Sequence, residues 1–313
     1  MEGAPLFEGA TVAERRVFAQ NSPSTDRIRQ LLCFEPRGHA DMYGGFVVKP
    51  DDDGADFGDL FWHKDGYSTA CDHGTIALGA WAVESGRVES LPDGETDVTI
   101  DVPSGRVIAR VRRSDGVVTG ATFRNVPSYP ITRGIAVQTS RGTASVDLSF
   151  SGAIYASVSA ESLGLDVSPQ HYPELIAIGR EIKWALNDHP AARHPDDDRL
   201  SGVYGTILFE ELGETDSTVH QHNVTIFADG EVDRSPCGSG TAARLALLAA
   251  AGRIAPGQTL IHDSIVGTRF LARVASSDGE TIIPEVDGMA YRTGEHSFTL
   301  DPADPIGTGF VLR

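Results

Sequence analysis

The strongest constraint in this chain of 313 residues is a stretch that occurs twice. Cys71-Asp72-His73-Gly74-Thr75-Ile76-Ala77 runs on to Ser85-Gly86-Arg87-Val88, and Cys237-Gly238-Ser239-Gly240-Thr241-Ala242-Ala243 runs on to Ala251-Gly252-Arg253-Ile254. Counted from each Cys, Gly stands third, Thr fourth, Ala sixth, Gly fifteenth, Arg sixteenth and a β-branched residue seventeenth. Six agreements without a gap point to an internal duplication: two similar domains, each with strands wrapped around a central helix that a Cys-containing loop introduces. The spacing predicts those helices at residues 75–85 and 241–251. Both segments are nearly all apolar and small, so each helix is expected to be buried on every side.

Between the repeats, short alternating apolar stretches at 97–102, 107–111 and 203–210 read as strands, giving an α+β class. A third helix is predicted at 173–187, opened by a Pro in its first turn and closed before Asp188-His189-Pro190, with the pattern of an amphipathic packing helix. Turn residues from Asn125 to Pro130 interrupt the strand patterning and suggest a boundary. The expected organisation is a first domain at 1–126, completed by a returning segment at 291–313, and a second domain at 127–290. The length suits two domains better than one.

The paired cysteines carry the chemistry. A helix N-terminus presents free amide hydrogens and roughly half a positive charge, which makes a Cys just before it easier to deprotonate. The same amides in a Gly-rich loop form a cradle for a carboxylate. With one thiol on each side of an amino acid's Cα, a thiolate removes the Cα proton while the opposite thiol delivers one, and the stereocentre inverts. That chemistry requires neither metal nor organic cofactor. Cys33, inside Leu31-Leu32-Cys33-Phe34, reads as a small core hydrophobe. A zinc site from Cys71, His73 and Cys237 lacks the paired ligand spacing of structural sites, and the facing cysteines lack the CxxC spacing of thiol oxidoreductases.

The formal charge of −18 and pI near 4.8 disfavour nucleic acid and favour a small-molecule partner. Lysine occurs only at Lys49, Lys64 and Lys183, and Asp runs at 51–53 and 196–198 add to a surface suited to solubility in high salt. No apolar run reaches the roughly 18 residues of a membrane helix, and Met1 to Ala10 has neither the basic nor the apolar part of a signal peptide, so a cytoplasmic location is expected.

Four blocks also resemble the proline racemase family, which includes proline racemases, 4-hydroxyproline epimerases and trans-3-hydroxyproline dehydratases. They are Glu35-Pro36-Arg37-Gly38-His39-Ala40-Asp41-Met42-Tyr43-Gly44, the Cys71 loop, Asp233-Arg234-Ser235-Pro236-Cys237-Gly238-Ser239-Gly240-Thr241, and Ser264-Ile265-Val266-Gly267-Thr268. The resemblance implies a diaminopimelate epimerase-like fold of two pseudo-symmetric domains with the active site in the cleft between them. It implies Cys71 and Cys237 as acid and base, His73 and Asp233 near the substrate nitrogen, and the loop amides of Asp72, His73, Gly74, Gly238 and Ser239 around its carboxylate. Tyr43 and Phe227 would wall the pocket. The implied substrate is proline or hydroxyproline, with no cofactor, and a homodimer is compatible with the reading.

Within the family, dehydratases tend to have Thr at the second cysteine position, so Cys237 favours racemisation or epimerisation. Dehydration of a 3-hydroxyproline is the nearest alternative, and ligand binding without turnover a further one. Three departures stand out. Asp72 replaces the usual Gly, and a carboxylate there is expected to raise the pKa of the neighbouring thiol and repel a substrate carboxylate. The chain starts near the segment matching residues 3–11, where the family has an earlier strand. Ser151-Gly152 replaces a Gly-Gly pair ahead of Tyr155.

Overall fold

The computed structural model describes residues 6–312. Residues 1–5, half of the Met1–Ala10 segment considered above, and residue 313 lie outside the described residues. The chain forms two compact units, Met1–Thr119 with Met289–Arg313, and Gly120–Gly288.

The first unit opens with helices α1 (Val12–Gln20) and α2 (Pro23–Cys33), followed by β1 (Tyr43–Val48), β2 (Phe57–His63), the short β3 (Gly66–Tyr67), α3 (Asp72–Glu84), β4 (Gly94–Val102) and β5 (Gly105–Ser114). Strand β6 (Val117–Arg124) contains the division between the units, ahead of the turn at Asn125 to Pro130. The second unit continues with β7 (Tyr129–Thr139), β8 (Gly142–Phe150), β9 (Ile154–Ser159), α4 (Tyr172–Leu186), β10 (Val203–Glu214), β11 (Thr218–Phe227), β12 (Glu231–Asp233), α5 (Gly238–Ala250), β13 (Thr259–Ser264), β14 (Arg269–Ser277) and β15 (Ile282–Gly288).

The duplication is visible in strand order. In the first unit β2 pairs antiparallel with β1 and β3, and parallel with β4, which pairs antiparallel with β5. In the second, β11 pairs antiparallel with β10 and β12, and parallel with β13, which pairs antiparallel with β14. In both, the cysteine-led helix is the crossover that makes the parallel pair possible, since two parallel neighbours need a long connection. Both crossover helices are 13 residues long. The glycine fifteen residues after each Cys has φ of +71° (Gly86) and +70° (Gly252), the left-handed conformation that ends a helix and that glycine adopts without steric cost.

The units differ in what surrounds that helix. In the second, α5 packs against β7, β8, β9, β14 and β15, and every residue from Gly238 to Leu248 is buried. In the first, α3 packs on β4 and β5. Ala77 is exposed, and Leu78 and Trp81 are only partly covered. Burial on every side therefore holds for α5 and fails for α3, because the first unit carries α1 and α2 where the second has β7, β8, β9 and α4.

Sequence patterning also missed α1 and α2, which are short and predominantly polar. Their start signals are present: Thr11 and Glu14 form a reciprocal capping box on α1, and Pro23 opens α2. Cys33 ends α2, 1% exposed, in a core cluster with Val12, Phe46 and Leu60. The second core lies between α4 and the sheet. There Leu175, Ile178, Ile182 and Leu186 are all buried, each worth roughly 1.5–3 kcal/mol.

Candidate active site

Each candidate cysteine caps its helix, and local geometry explains the residues shared by the two loops. Cys71 sits at the N-cap of α3 with extended backbone, and its Sγ accepts from the Gly74 amide at 3.3 Å. A side chain at Gly74 would put Cβ 2.9 Å from that sulfur, and one at Gly240 would stand 3.0 Å from the Cys237 sulfur. Only glycine lets the thiol lie over the first turn in either copy. The following threonines fasten the same turn. Thr75 donates both N–H and Oγ1–H to the Cys71 carbonyl at 2.9 Å, while Thr241 donates N–H to the Cys237 carbonyl at 2.7 Å and Oγ1–H to the Pro236 carbonyl at 3.2 Å.

The two thiols are nearly enclosed, 6% and 5% exposed, but not equivalent. Cys237 has φ +60° and ψ 106°, a conformation rarely adopted by residues other than glycine, and its side chain makes no cap hydrogen bond to the helix. A chain of contacts holds it there. The Cys237 amide donates to Ser235 Oγ at 3.0 Å, and Ser235 donates its own N–H (2.9 Å) and Oγ–H (2.8 Å) to Asp233 Oδ1. Asp233 thus reaches the Cys237 backbone through Ser235. Residue Ser239, in the first turn of α5, lies 2.7 Å from the Tyr155 hydroxyl, which in turn lies 4.0 Å from Cys237 Sγ. Gly238 begins the helix. Phe227 stacks on Tyr204 with ring centroids 5.8 Å apart, and Tyr204 meets Tyr155 edge-on at 5.7 Å.

In the first unit, Tyr43 and His73 meet edge to face at 5.8 Å. The Tyr43 hydroxyl donates to Ser68 Oγ at 2.6 Å, and Ser68 passes its own hydrogen to the Ala70 carbonyl, one residue before the thiol. Tyr43, His73 and Gly74 line a cavity of about 470 Å³ with Phe61, Leu78 and Trp81.

Asp72 directly follows the first thiol. It is 1% exposed at the first position of α3, and burial pushes its carboxyl well above the usual carboxylate range, outweighing the charge of His73. Burial thus disfavours the charged form, the one that would oppose a thiolate or a substrate carboxylate. Ser151, the other departure tied to a side chain, is fully buried and is bonded to Asn125 Nδ2 (2.7 Å) and Ser128 (2.9 Å), fixing the turn after β6.

The structure therefore gathers Cys71, Asp72, His73, Gly74 and Tyr43 in one unit, and Cys237, Gly238, Ser239, Asp233 and Phe227 in the other. Sequence reasoning missed Ser235 and Tyr155 as partners of Cys237. Ser235 had a signal, a hydroxyl two residues before a strained Cys, whereas Tyr155 is 82 positions away and reaches the thiol only through the fold.

The chain resembles known proteins over nearly its whole length. The chain is 38% identical to a trans-3-hydroxy-L-proline dehydratase of Bacillus cereus, over 99% of this chain and 92% of that one. It is 41% identical to a 3-hydroxyproline 2-epimerase of Burkholderia multivorans, over 99% and 93%. Among solved structures, a hydroxyproline epimerase from Agrobacterium vitis with bound trans-4-hydroxy-L-proline superposes with a TM-score of 0.89 at 31% identity, covering 99% of this chain and 90% of that one. A predicted epimerase from Pseudomonas aeruginosa, at TM-score 0.52 and 15% identity over 86% of each chain, shares the fold. Residues 1–311 match the family described as Proline racemase, and the chain belongs to that family, an epimerase-like α+β enzyme.

Proposed function

We propose that this protein is a cytoplasmic, cofactor-independent racemase or epimerase that inverts Cα of a proline-ring amino acid, with Cys71 and Cys237 as paired acid and base. The observation that carries it is the repeated construction: in each unit a nearly enclosed cysteine stands at the N-cap position of a crossover helix, over a glycine that leaves room for sulfur. A structural cysteine needs no such clearance. In the forward direction one cysteine, as thiolate, takes the Cα proton. The other, as thiol, gives its proton to the opposite face, and the electron pair left on Cα is shared with the carboxylate during the step. The amides of Asp72, His73, Gly74, Gly238 and Ser239 hold that carboxylate, and helix N-termini favour the negative charge it gains. His73 and Asp233 face the ring nitrogen, while Tyr43 and Phe227 wall the ring. The mechanism requires both cysteine loops to meet on one substrate.

The names of two relatives, a trans-3-hydroxy-L-proline dehydratase and a 3-hydroxyproline 2-epimerase, support 3-hydroxyproline as a candidate substrate. They also favour a second reading, in which one thiolate removes the Cα proton and the 3-hydroxyl leaves with a proton as water. Proton NMR in D₂O with L-proline, trans-4-hydroxy-L-proline and trans-3-hydroxy-L-proline separates the readings. Loss of the Cα signal with the ring intact supports inversion, loss of the 3-hydroxyl supports dehydration, and no change with any of the three contradicts both.

A further inference from the structure

We propose that Tyr155 is the positioning residue of Cys237: with Ser239 it forms a hydroxyl pair that satisfies the sulfur in both its thiol and thiolate states. The proposal rests on Cys237 exchanging a proton, the reading given above. It starts from the inequality of the two thiols. Cys71 Sγ faces an amide N–H, which is only ever a donor, from Gly74. Cys237, swung away by its positive φ, has no side-chain cap bond and points its sulfur at the Tyr155 hydroxyl instead, at 4.0 Å.

A hydroxyl donates one hydrogen and accepts with two lone pairs, so it can reverse its role. When Cys237 is a thiol, its S–H points to Tyr155 Oη and the Tyr155 hydrogen points to Ser239 Oγ, 2.7 Å away. When Cys237 is a thiolate, the Tyr155 hydrogen turns to sulfur and Ser239 donates to Tyr155 Oη. No proton leaves any oxygen; two O–H bonds rotate. Neither state strands a buried polar atom, which matters because Tyr155 is fully buried and Ser239 is 3% exposed. An acid/base cysteine in a reversible inversion must be stable in both states, and this pair supplies that.

Among buried hydrophobic residues, Cys237 clusters with Ala153 and Tyr155 at β9, Ile207 of β10 and Ala243 of α5, with Tyr204 of β10 at the margin. Tyr204 meets Tyr155 through its ring. Asp233, from β12, reaches the Cys237 backbone through Ser235. His262, from β13, is bonded to Thr241 at 2.7 Å, and burial and the nearby Arg244 hold it neutral, with a pKa lowered to about 3.

The test follows thiolate absorbance near 240 nm through a pH titration of the full chain carrying Cys33→Ser and Cys71→Ser, so that Cys237 is the one thiol. Adding Tyr155→Phe, which keeps the ring against Tyr204, is expected to move the thiolate midpoint up by about one pH unit. Ser239→Ala is expected to move it up by less, since the Tyr155 donor survives. In the chain with all three cysteines, Tyr155→Phe should lower kcat/KM about tenfold and shift its pH profile, with Tm nearly unchanged. A midpoint that stays fixed in both variants overturns the proposal. If Tyr155→Phe fails to fold, an unmoved midpoint in Ser239→Ala does so alone. Because the titration needs no substrate, a shifted midpoint without turnover would indict the proposed reaction and leave the tuning role standing.

Discussion

Replacing Asp59 by Asn should make the protein's stability less sensitive to alkali, by an amount the structure sets. Asp59 lies on β2, fully buried, on the face it shares with Phe57 and Phe61, which touch the α3 residues Trp81 and Gly74. Its carboxylate oxygens have no hydrogen-bond partner among the described residues, and a Cβ at Gly45 on the facing strand would stand 2.2 Å from one of them. Burial pushes its pKa from 3.8 up to about 7. Because the folded value lies above the unfolded one, folding favours the protonated acid. The associated stability is complete below pH 3.8, falls as pH rises, and is lost once pH passes the folded pKa near 7.

At 1.36 kcal/mol per unit the full loss is roughly 4 kcal/mol, of which about 2 kcal/mol falls between pH 5.5 and pH 8. Asn keeps the shape of the protonated acid and does not titrate. Guanidinium unfolding at fixed ionic strength, followed by tryptophan fluorescence, should show Asp59→Asn gaining about 2 kcal/mol on the unmodified protein between those two pH values. An advantage that is equal at both pH values would refute the argument that this carboxyl is folded as a neutral acid.

Other expectations follow from the site. Cys71→Ser and Cys237→Ser should each abolish Cα inversion in a coupled chiral assay, while Cys33→Ser, a core change away from the loops, should retain it. Gly74→Ala and Gly240→Ala should each lower kcat by about 100-fold or more, because the added Cβ displaces the sulfur from its seat, and Gly74→Ala should also lower Tm, since its Cβ meets the buried Phe61 ring. Asp72→Asn should leave kcat/KM within about threefold at pH 7, since burial already disfavours the charged form of the carboxyl it replaces. With a formal charge of −18, the unfolding midpoint should rise from low salt to about 2 M KCl as self-repulsion is screened.

Much of this was legible in the chain because the cysteine loops are local devices. Their glycines, threonines and helix-ending glycines answer to contacts within one turn, so shared spacing translated into the same N-cap placement and the same helix-ending glycine, although the two thiols point differently. The segments at 97–102, 107–111 and 203–210 all fall inside strands, and 173–187 shifts by one residue to α4, because strong alternation or amphipathicity marked them. What was illegible depended on distance or on an environment. The exposed face of α3 follows from which elements the first unit lacks around it. The raised pKa of Asp72 follows from burial, which no neighbour in sequence announces. Tyr155 meets Cys237 only because β9 and the start of α5 are brought together in the second unit.

The central claim is that two different thiols act on opposite faces of one Cα. It is tested most directly by starting with a single enantiomer of the substrate that is turned over, in D₂O, and measuring isotope in both enantiomers before a tenth of it has reacted. Two-thiol chemistry predicts product carrying deuterium at Cα while the remaining substrate keeps its proton. Product that retains the substrate's own proton would mean that one group handles both faces and would contradict the account.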